Sequence, residues 1–245
     1  MAGHDRGGRA VEHVPEDWRC GLAIVAHPDD LEYGAASAIA RWTAQGKRIV
    51  YCLVTAGEAG IDTMAPDECA AARMVDERRS ASVVGVDTVE FLTHPDGLVE
   101  PSITLRRDLA AVIRRHRPEV LIGINYHDRW PGGFNHADHR AVGIAMIDAA
   151  RDAGNRWIFP GAGGQPWNGT RFALFAGSPE ATHGVDVTDT IDLGVASLRA
   201  HQSYLDALAE GTVGKDPDPF LRSMAEDSGP ALGVTAAVLF ELVPL

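Results

Sequence analysis

Gly21-Leu22-Ala23-Ile24-Val25-Ala26-His27-Pro28-Asp29-Asp30 is the stretch that decides how this chain folds. Its first half is an unbroken apolar run, the pattern of a strand covered on both faces. An imidazole and two carboxylates follow at once. In an open α/β sheet, ligands bind at the carboxyl ends of the strands. Three metal-competent side chains therefore stand at the edge where such a fold places its chemistry.

The pattern continues outward from that strand, predicted over 21–26. A helix is predicted over about 33–45, with Ile39 and Trp42 at helical spacing, and Gly46 takes the position after its end. Arg48–Val54 is a second strand, and Thr55-Ala56-Gly57-Glu58-Ala59-Gly60 is a flexible turn at its carboxyl end. A helix over 67–84 stops before Gly85. A third strand over 89–92 leads into the turn His94-Pro95-Asp96-Gly97. A helix over 103–116 precedes a fourth strand over 119–124. Strands alternating with helices of ten or more residues imply a parallel, doubly wound sheet. Loop 125–135 then opens a helix over 136–152, and beyond it the pattern weakens. A short strand at 171–176, a helical stretch at 189–210 and a last strand or two within 231–243 are expected. The expected architecture is a single Rossmann-like α/β domain over 19–245. It has a mostly parallel sheet, helices on both faces and an irregular C-terminal portion. Residues 1–18 read as a mobile polar arm, with Trp18 available to dock on the body.

Composition narrows the function classes. The 245 residues are 45% hydrophobic and 23% charged, with a formal net charge of −12. That balance argues against nucleic acid or an anionic membrane as partner, since both require a basic surface. Three cysteines, Cys20, Cys52 and Cys69, are too few and too widely spaced for a disulfide framework or a thiolate zinc site. The N-terminal residues carry no apolar signal core, and no run approaches the roughly 18 apolar residues of a membrane span, so a cytoplasmic location is expected. The sequence leaves a homo-oligomer open.

A second cluster, Asn135-His136-Ala137-Asp138-His139, follows the fourth strand as the first follows strand one. Asn135 reads as the helix cap, with Asp138 three residues on. His136 and His139 then share one face of the first turn. A catalytic zinc site takes three protein ligands and leaves a fourth position open, and His27, Asp30 and His139 meet that requirement. Asp29 points away from its neighbour Asp30 and is free to act as general base. His136 is placed to act as general acid or to donate to a developing oxyanion. Asp138 is placed to orient a histidine. Together these are the parts of metal-assisted amide or ester hydrolysis.

Ala26-His27-Pro28-Asp29-Asp30 with His136-Ala137-Asp138-His139 resembles the PIG-L/LmbE-like zinc deacetylases. That family includes N-acetylglucosaminyl-phosphatidylinositol deacetylases, mycothiol-pathway enzymes, chitobiose deacetylases and glycopeptide-antibiotic deacetylases. The likeness extends over roughly 20–205 and includes Thr55-Ala56-Gly57-Glu58, Pro95-Asp96-Gly97 and Ala200-His201-Gln202-Ser203. The resemblance implies zinc, with iron or cobalt as alternatives, on His27, Asp30 and His139. It implies Asp29 as base, His136 beside the reacting amide, and a sugar-containing small molecule bearing an N-acetyl group as substrate. The chain departs from the family where Leu31 follows Asp30, placing Glu32 one position later, and where Ala137 replaces a proline. Phe134 stands where the mycothiol branch has a tyrosine that assists the oxyanion. Either the metal and His136 hold the oxyanion alone, or Tyr126 or His201 contributes.

Arg73, Asp96, Phe134 and His201 are the expected substrate contacts. The blander alternatives are a solvated helix charge for Arg73, a packed turn for His94-Pro95-Asp96 and plain packing for His201. Two rival functions remain: an amidase acting on thiol conjugates, and a metal-dependent binding protein without catalysis. A dinucleotide-binding module is disfavoured, because strand one is followed by His-Pro-Asp-Asp and not by Gly-x-Gly-x-x-Gly.

Overall fold

The residues of the central strands sort by parity. A computed structural model of the chain describes residues 11–130 and 133–245. In β2 (Cys20–Val25), Ala23 and Val25 enter one core while Leu22 and Ile24 enter the other. In β3 (Arg48–Leu53), Ile49, Tyr51 and Leu53 are separated in the same way from Val50 and Cys52. The continuous apolar runs are thus two alternating faces, each buried.

The remaining elements, with β1 (Glu12–His13) preceding β2, follow in chain order. They are α1 (Ala36–Ala44), α2 (Pro66–Val83), β4 (Thr88–Phe91), α3 (Ile103–His116), β5 (Val120–Ile124), β6 (Arg129–Trp130), β7 (Gly133–Phe134) and α4 (Ala137–Gly154). After these come β8 (Phe172–Ala176), β9 (His183–Asp186), α5 (Ile191–Arg199), α6 (Gln202–Ala207), α7 (Pro217–Leu232) and β10 (Ala237–Pro244). Gly46, at φ 82°, ends α1 in the left-handed conformation expected of it.

The main sheet runs β1-β9-β10-β8-β5-β2-β3-β4. Its pairs are parallel except where β10 lies antiparallel between β8 and β9. One core holds Ile39 and Trp42 of α1 and Ala225 of α7. The other holds Leu105, Leu109 and Ile113 of α3 with Val142 and Met146 of α4. The chain winds outward from β2 through β3 to β4, then returns to place β5 on the opposite side of β2. The crevice at such a reversal is where a doubly wound sheet binds ligand. Both clusters singled out in the sequence emerge there, one after β2 and one after β5.

Two parts differ from expectation. Residues 11–18 belong to the body and do not form an arm; residues 1–10 lie outside the described residues. Glu12 and His13 pair with β9. Trp18 is 2% exposed, meets the Trp42 ring edge-on at 5.3 Å and donates its indole N–H to the Pro15 carbonyl at 2.8 Å. Glu16 accepts from Arg41 and from the Trp42 indole. These anchors depend on distant partners and leave no local period. The C-terminal portion, expected to be irregular, contains α7, capped by the Asp216 side chain with Pro217 at its first position. Three prolines and a weak apolar stripe hide this helix. The helical stretch expected over 189–210 is two helices broken at Ala200 and His201. Among the described residues, no helix is long and apolar enough to cross a membrane.

Because Trp18 joins the N-terminal segment to α1, Trp18→Ala should destabilise the fold by about 3–5 kcal/mol. Urea unfolding followed by circular dichroism should show a lowered midpoint. An unchanged midpoint would restore the reading of this segment as a loose arm.

Candidate active site

The turn after β2 is held from two directions. Asp30 Oδ2 accepts the backbone N–H groups of Ala26 at 3.1 Å and His27 at 2.9 Å. Asp29 sits at φ 99°, a conformation costly for a residue with a Cβ. One face of α2 secures it. The Asp29 backbone N–H donates to Glu77 Oε2 at 3.3 Å, and the Asp29 carboxylate pairs with Arg73 at 3.0 Å. Arg73 also donates to the Pro28 carbonyl and, at 3.1 Å, to that of Gly57. Its guanidinium fills the space a Cβ would occupy at Gly57, so this position requires glycine.

The loop after β5 is braced by Asn135. Its amide donates to the carbonyls of Asn125 at 2.7 Å and His127 at 2.9 Å, and its Oδ1 lies 3.1 Å from His139 Nδ1. The cap of α4 is His136, one residue later than expected, with Nδ1 accepting the Asp138 N–H at 3.2 Å. A ring nitrogen that accepts carries no proton, so His136 is neutral with its proton on Nε2. Burial and the neighbouring His27 and His139 charges lower its pKa in the same sense. Asp138, with no exposed surface, accepts from Gly97 at 2.8 Å and Val99 at 3.1 Å.

Three candidate ligand residues converge between these loops. His27 Nδ1 lies 3.2 Å from His139 Nε2, His139 Nε2 lies 3.0 Å from Asp30 Oδ1, and His27 Nδ1 lies 3.6 Å from Asp30 Oδ2. Tetrahedral ligands about 2.0–2.1 Å from a zinc ion stand about 3.3 Å apart, so the set fits a divalent metal. The outer ring nitrogen of His27 meets Asp138 at 3.2 Å and Asp96 at 3.1 Å, carboxylates that fix its orientation as ligand-backing groups do. Asp138 thus orients His27. His136 also brings a ring nitrogen within 4.8 Å of those of His27 and His139. Burial opposes a charge on His27, but Asp30, Asp138 and Asp96 outweigh it and raise its pKa to about 12. Burial likewise opposes the charge on Asp30, yet His139 and His27 hold it well below the usual carboxylate range. Asp29 is pushed up to about 6 by burial, against the pull of Arg73.

The expected substrate contacts divide. Phe134 is 60% exposed on the rim, flanked by Arg129 and Arg140. Asp96 turns inward onto His27 and the Ala59 N–H. Arg73, 3% exposed, is spent on Asp29 and the turn beneath it. His201 has no exposed surface and faces Glu32 and Glu77, out of reach of a substrate. Neither suggested replacement for the assisting tyrosine serves, since the Tyr126 hydroxyl bonds Glu241 at 3.2 Å. His94 packs on α3 through Asp108 at 3.2 Å.

The family described as PIG-L: GlcNAc-PI de-N-acetylase matches residues 22–150, a span containing both converging loops. The chain belongs to the PIG-L family. The diacetylchitobiose deacetylase of Thermococcus kodakarensis is 29% identical to it over 229 residues, covering 91% of this chain and 82% of that protein. A 1D-myo-inositol 2-acetamido-2-deoxy-alpha-D-glucopyranoside deacetylase of Kineococcus radiotolerans is 28% identical, covering 75% and 68% respectively. Among solved structures, N,N'-diacetylchitobiose deacetylase from Pyrococcus horikoshii superposes with a TM-score of 0.83 at 26% identity, over 94% of this chain and 85% of that one.

In this PIG-L chain, Glu77 and Asn135 hold the site without having been singled out for that role in the sequence. The signal for Glu77 lies in α2, whose buried face reads Cys69, Arg73, Asp76, Glu77, Ser80 and Ala81. A helix that buries charges where an apolar stripe belongs marks a face turned toward a polar site. A metal ion entering the triangle takes the place of the proton on His27, so metal affinity should fall as pH is lowered. Asp138→Asn should weaken it about 10- to 100-fold at neutral pH. Competition titrations with a chromophoric chelator measure both, and a pH-independent affinity would contradict the ligand set.

Proposed function

We propose that the chain is a zinc-dependent N-deacetylase that releases acetate from the N-acetylglucosamine unit of a small glycoconjugate. The observation that carries the reading is the triangle of His27, Asp30 and His139 with Asp29 beside it but bonded elsewhere. The deacetylases among its relatives give the acyl group and the sugar class. His27, Asp30 and His139 would hold the zinc, and iron(II) or cobalt(II) suits the same donors. When bound, zinc supplies Lewis-acid polarisation of the amide carbonyl and acidifies water.

The chain's own groups do the remaining work. Asp29, clamped by Arg73 and Glu77, takes a proton from the attacking water as its oxygen bonds to the amide carbon. His136, locked as the Nε2–H form, donates to the carbonyl oxygen as negative charge develops there. The C–N bond then breaks, and Asp29 returns its proton to the departing amine. Asp138 and Asp96 keep His27 in place throughout. Phe134, exposed at the rim, offers an apolar face to the sugar ring.

Acetate release from N-acetylglucosamine, diacetylchitobiose and an N-acetylglucosaminyl-inositol, each measured against a mycothiol conjugate, tests the substrate class. Turnover of the conjugate alone would replace deacetylation with amidase chemistry. Asp29→Asn should keep its metal and lose about 10²- to 10⁴-fold in kcat. Loss of the metal in that variant would make Asp29 a ligand and sink this division of labour. His136→Ala should lose about 10²- to 10³-fold in kcat with KM little changed. A rise in KM at constant kcat would instead assign His136 to substrate binding.

A further inference from the structure

Beneath Asp29 lies a second cluster that the proposed reaction does not use. Glu32 comes from the turn after β2, Glu77 from α2 and His201 from the break between α5 and α6. They are 2%, 0% and 0% exposed. Four of their ligand atoms have no hydrogen-bond partner: Glu32 Oε2, Glu77 Oε1 and both His201 ring nitrogens. The buried Tyr51 hydroxyl is unpartnered as well. Burying two neighbouring carboxylates with one imidazole is costly unless something supplies positive charge and fills the open lone pairs.

The spacing indicates what that something is. His201 Nε2 stands 3.6 Å from Glu32 Oε2 and 3.6 Å from Glu77 Oε2. Both separations exceed the roughly 2.7–2.9 Å of a charge-assisted hydrogen bond, so His201 stands off both carboxylates at ion-pair distance. A water bridging such groups at about 2.8 Å would spread them to about 4.6 Å. Tetrahedral ligands 3.6 Å apart are centred about 2.2 Å from each atom, a metal–ligand distance. One ligand atom from each of the three residues lies within 4.8 Å of the others.

We propose that Glu32, Glu77 and His201 hold a second divalent metal ion, buried and structural, of the kind taken by one imidazole and two carboxylates. Glu77 Oε2 also accepts the Asp29 N–H. The ion therefore fixes the support of the strained Asp29 turn from below and takes no part in bond making. Since the cluster has no exposed surface, the ion enters as the chain folds and leaves only when it unfolds. His27 and His139, at 11% and 21% side-chain exposure, remain open to exchange.

The test is metal counting on the full chain, expressed with zinc and measured by inductively coupled plasma mass spectrometry before and after native dialysis against EDTA. Two ions per chain are expected before dialysis and one after. His139→Ala should hold one ion that resists EDTA, whatever its activity. Anomalous diffraction at the zinc edge should show a peak within about 2.2 Å of Glu32, Glu77 and His201. Glu77→Gln should lose the EDTA-resistant ion. Should that variant fail to fold, the His139→Ala count still decides. No EDTA-resistant ion in either the natural chain or His139→Ala would overturn the proposal. So would a crystal structure with a water, or a direct histidine–carboxylate hydrogen bond, at the cluster.

Discussion

Negative charge gathered under one edge of the sheet is the constraint on which the site depends. Asp29, Asp30, Glu32, Glu77 and Asp138 are each less than a tenth exposed, and Asp96 is half-buried beside them. Carboxylates so placed must be neutralised or matched. Arg73 from α2 pairs with Asp29, and the rings of His27, His139 and His201 stand against the others from the β2 turn, α4 and the α5–α6 break. His27 and His201 each stand against more than one acid, so these groups act together. His27 shows this most clearly: one ring nitrogen faces Asp30 and the other faces Asp138 and Asp96.

The scaffold turns that constraint into a site by topology. The reversal of strand order at β2 and β5 leaves a crevice, and both loops that leave those strands carry histidine and aspartate. Positioning then falls to groups that meet no substrate. Asn135 braces one loop through two carbonyls and His139, while Arg73 and Glu77, one helical turn apart, hold the backbone and side chain of Asp29. That pair keeps a costly dihedral at a residue whose carboxylate pairs with Arg73.

The parallel sheet was legible because β2, β3 and β5 are apolar on both faces and are separated by helices with clear periods and stops. His27, Asp30 and His139 were legible because short local motifs follow those strands. Other features were not. The cap of α4 fell on His136 and not Asn135, because either residue can accept from the first turn and only the backbone path chooses. Arg73 and His201 read as substrate contacts, since a polar residue near a motif looks available until burial is known. Burial of the two depends on Asp29, Glu32 and Glu77, brought near by folding alone. Residues 11–18 and α7 were obscure for the same reason: residues 11–18 are ordered by Trp42, Arg41 and the far sheet edge, and α7 by α5, β9 and β10.

The place of β10 in the sheet bears on how the chain reaches this state. Among the described strands, β8 and β9 are joined only through β10, and β1 pairs only with β9. During synthesis the parallel half, with both loops that carry histidine and aspartate, is therefore complete while the other half still lacks its central ladder. The first described strand waits for pairing partners some 170 residues downstream. Such long-range closures are slow, and they leave β8 with an open edge, a template for pairing with other chains, until Ala237–Pro244 arrives. The interval before that last strand docks is when a nascent chain of this design is most exposed to aggregation.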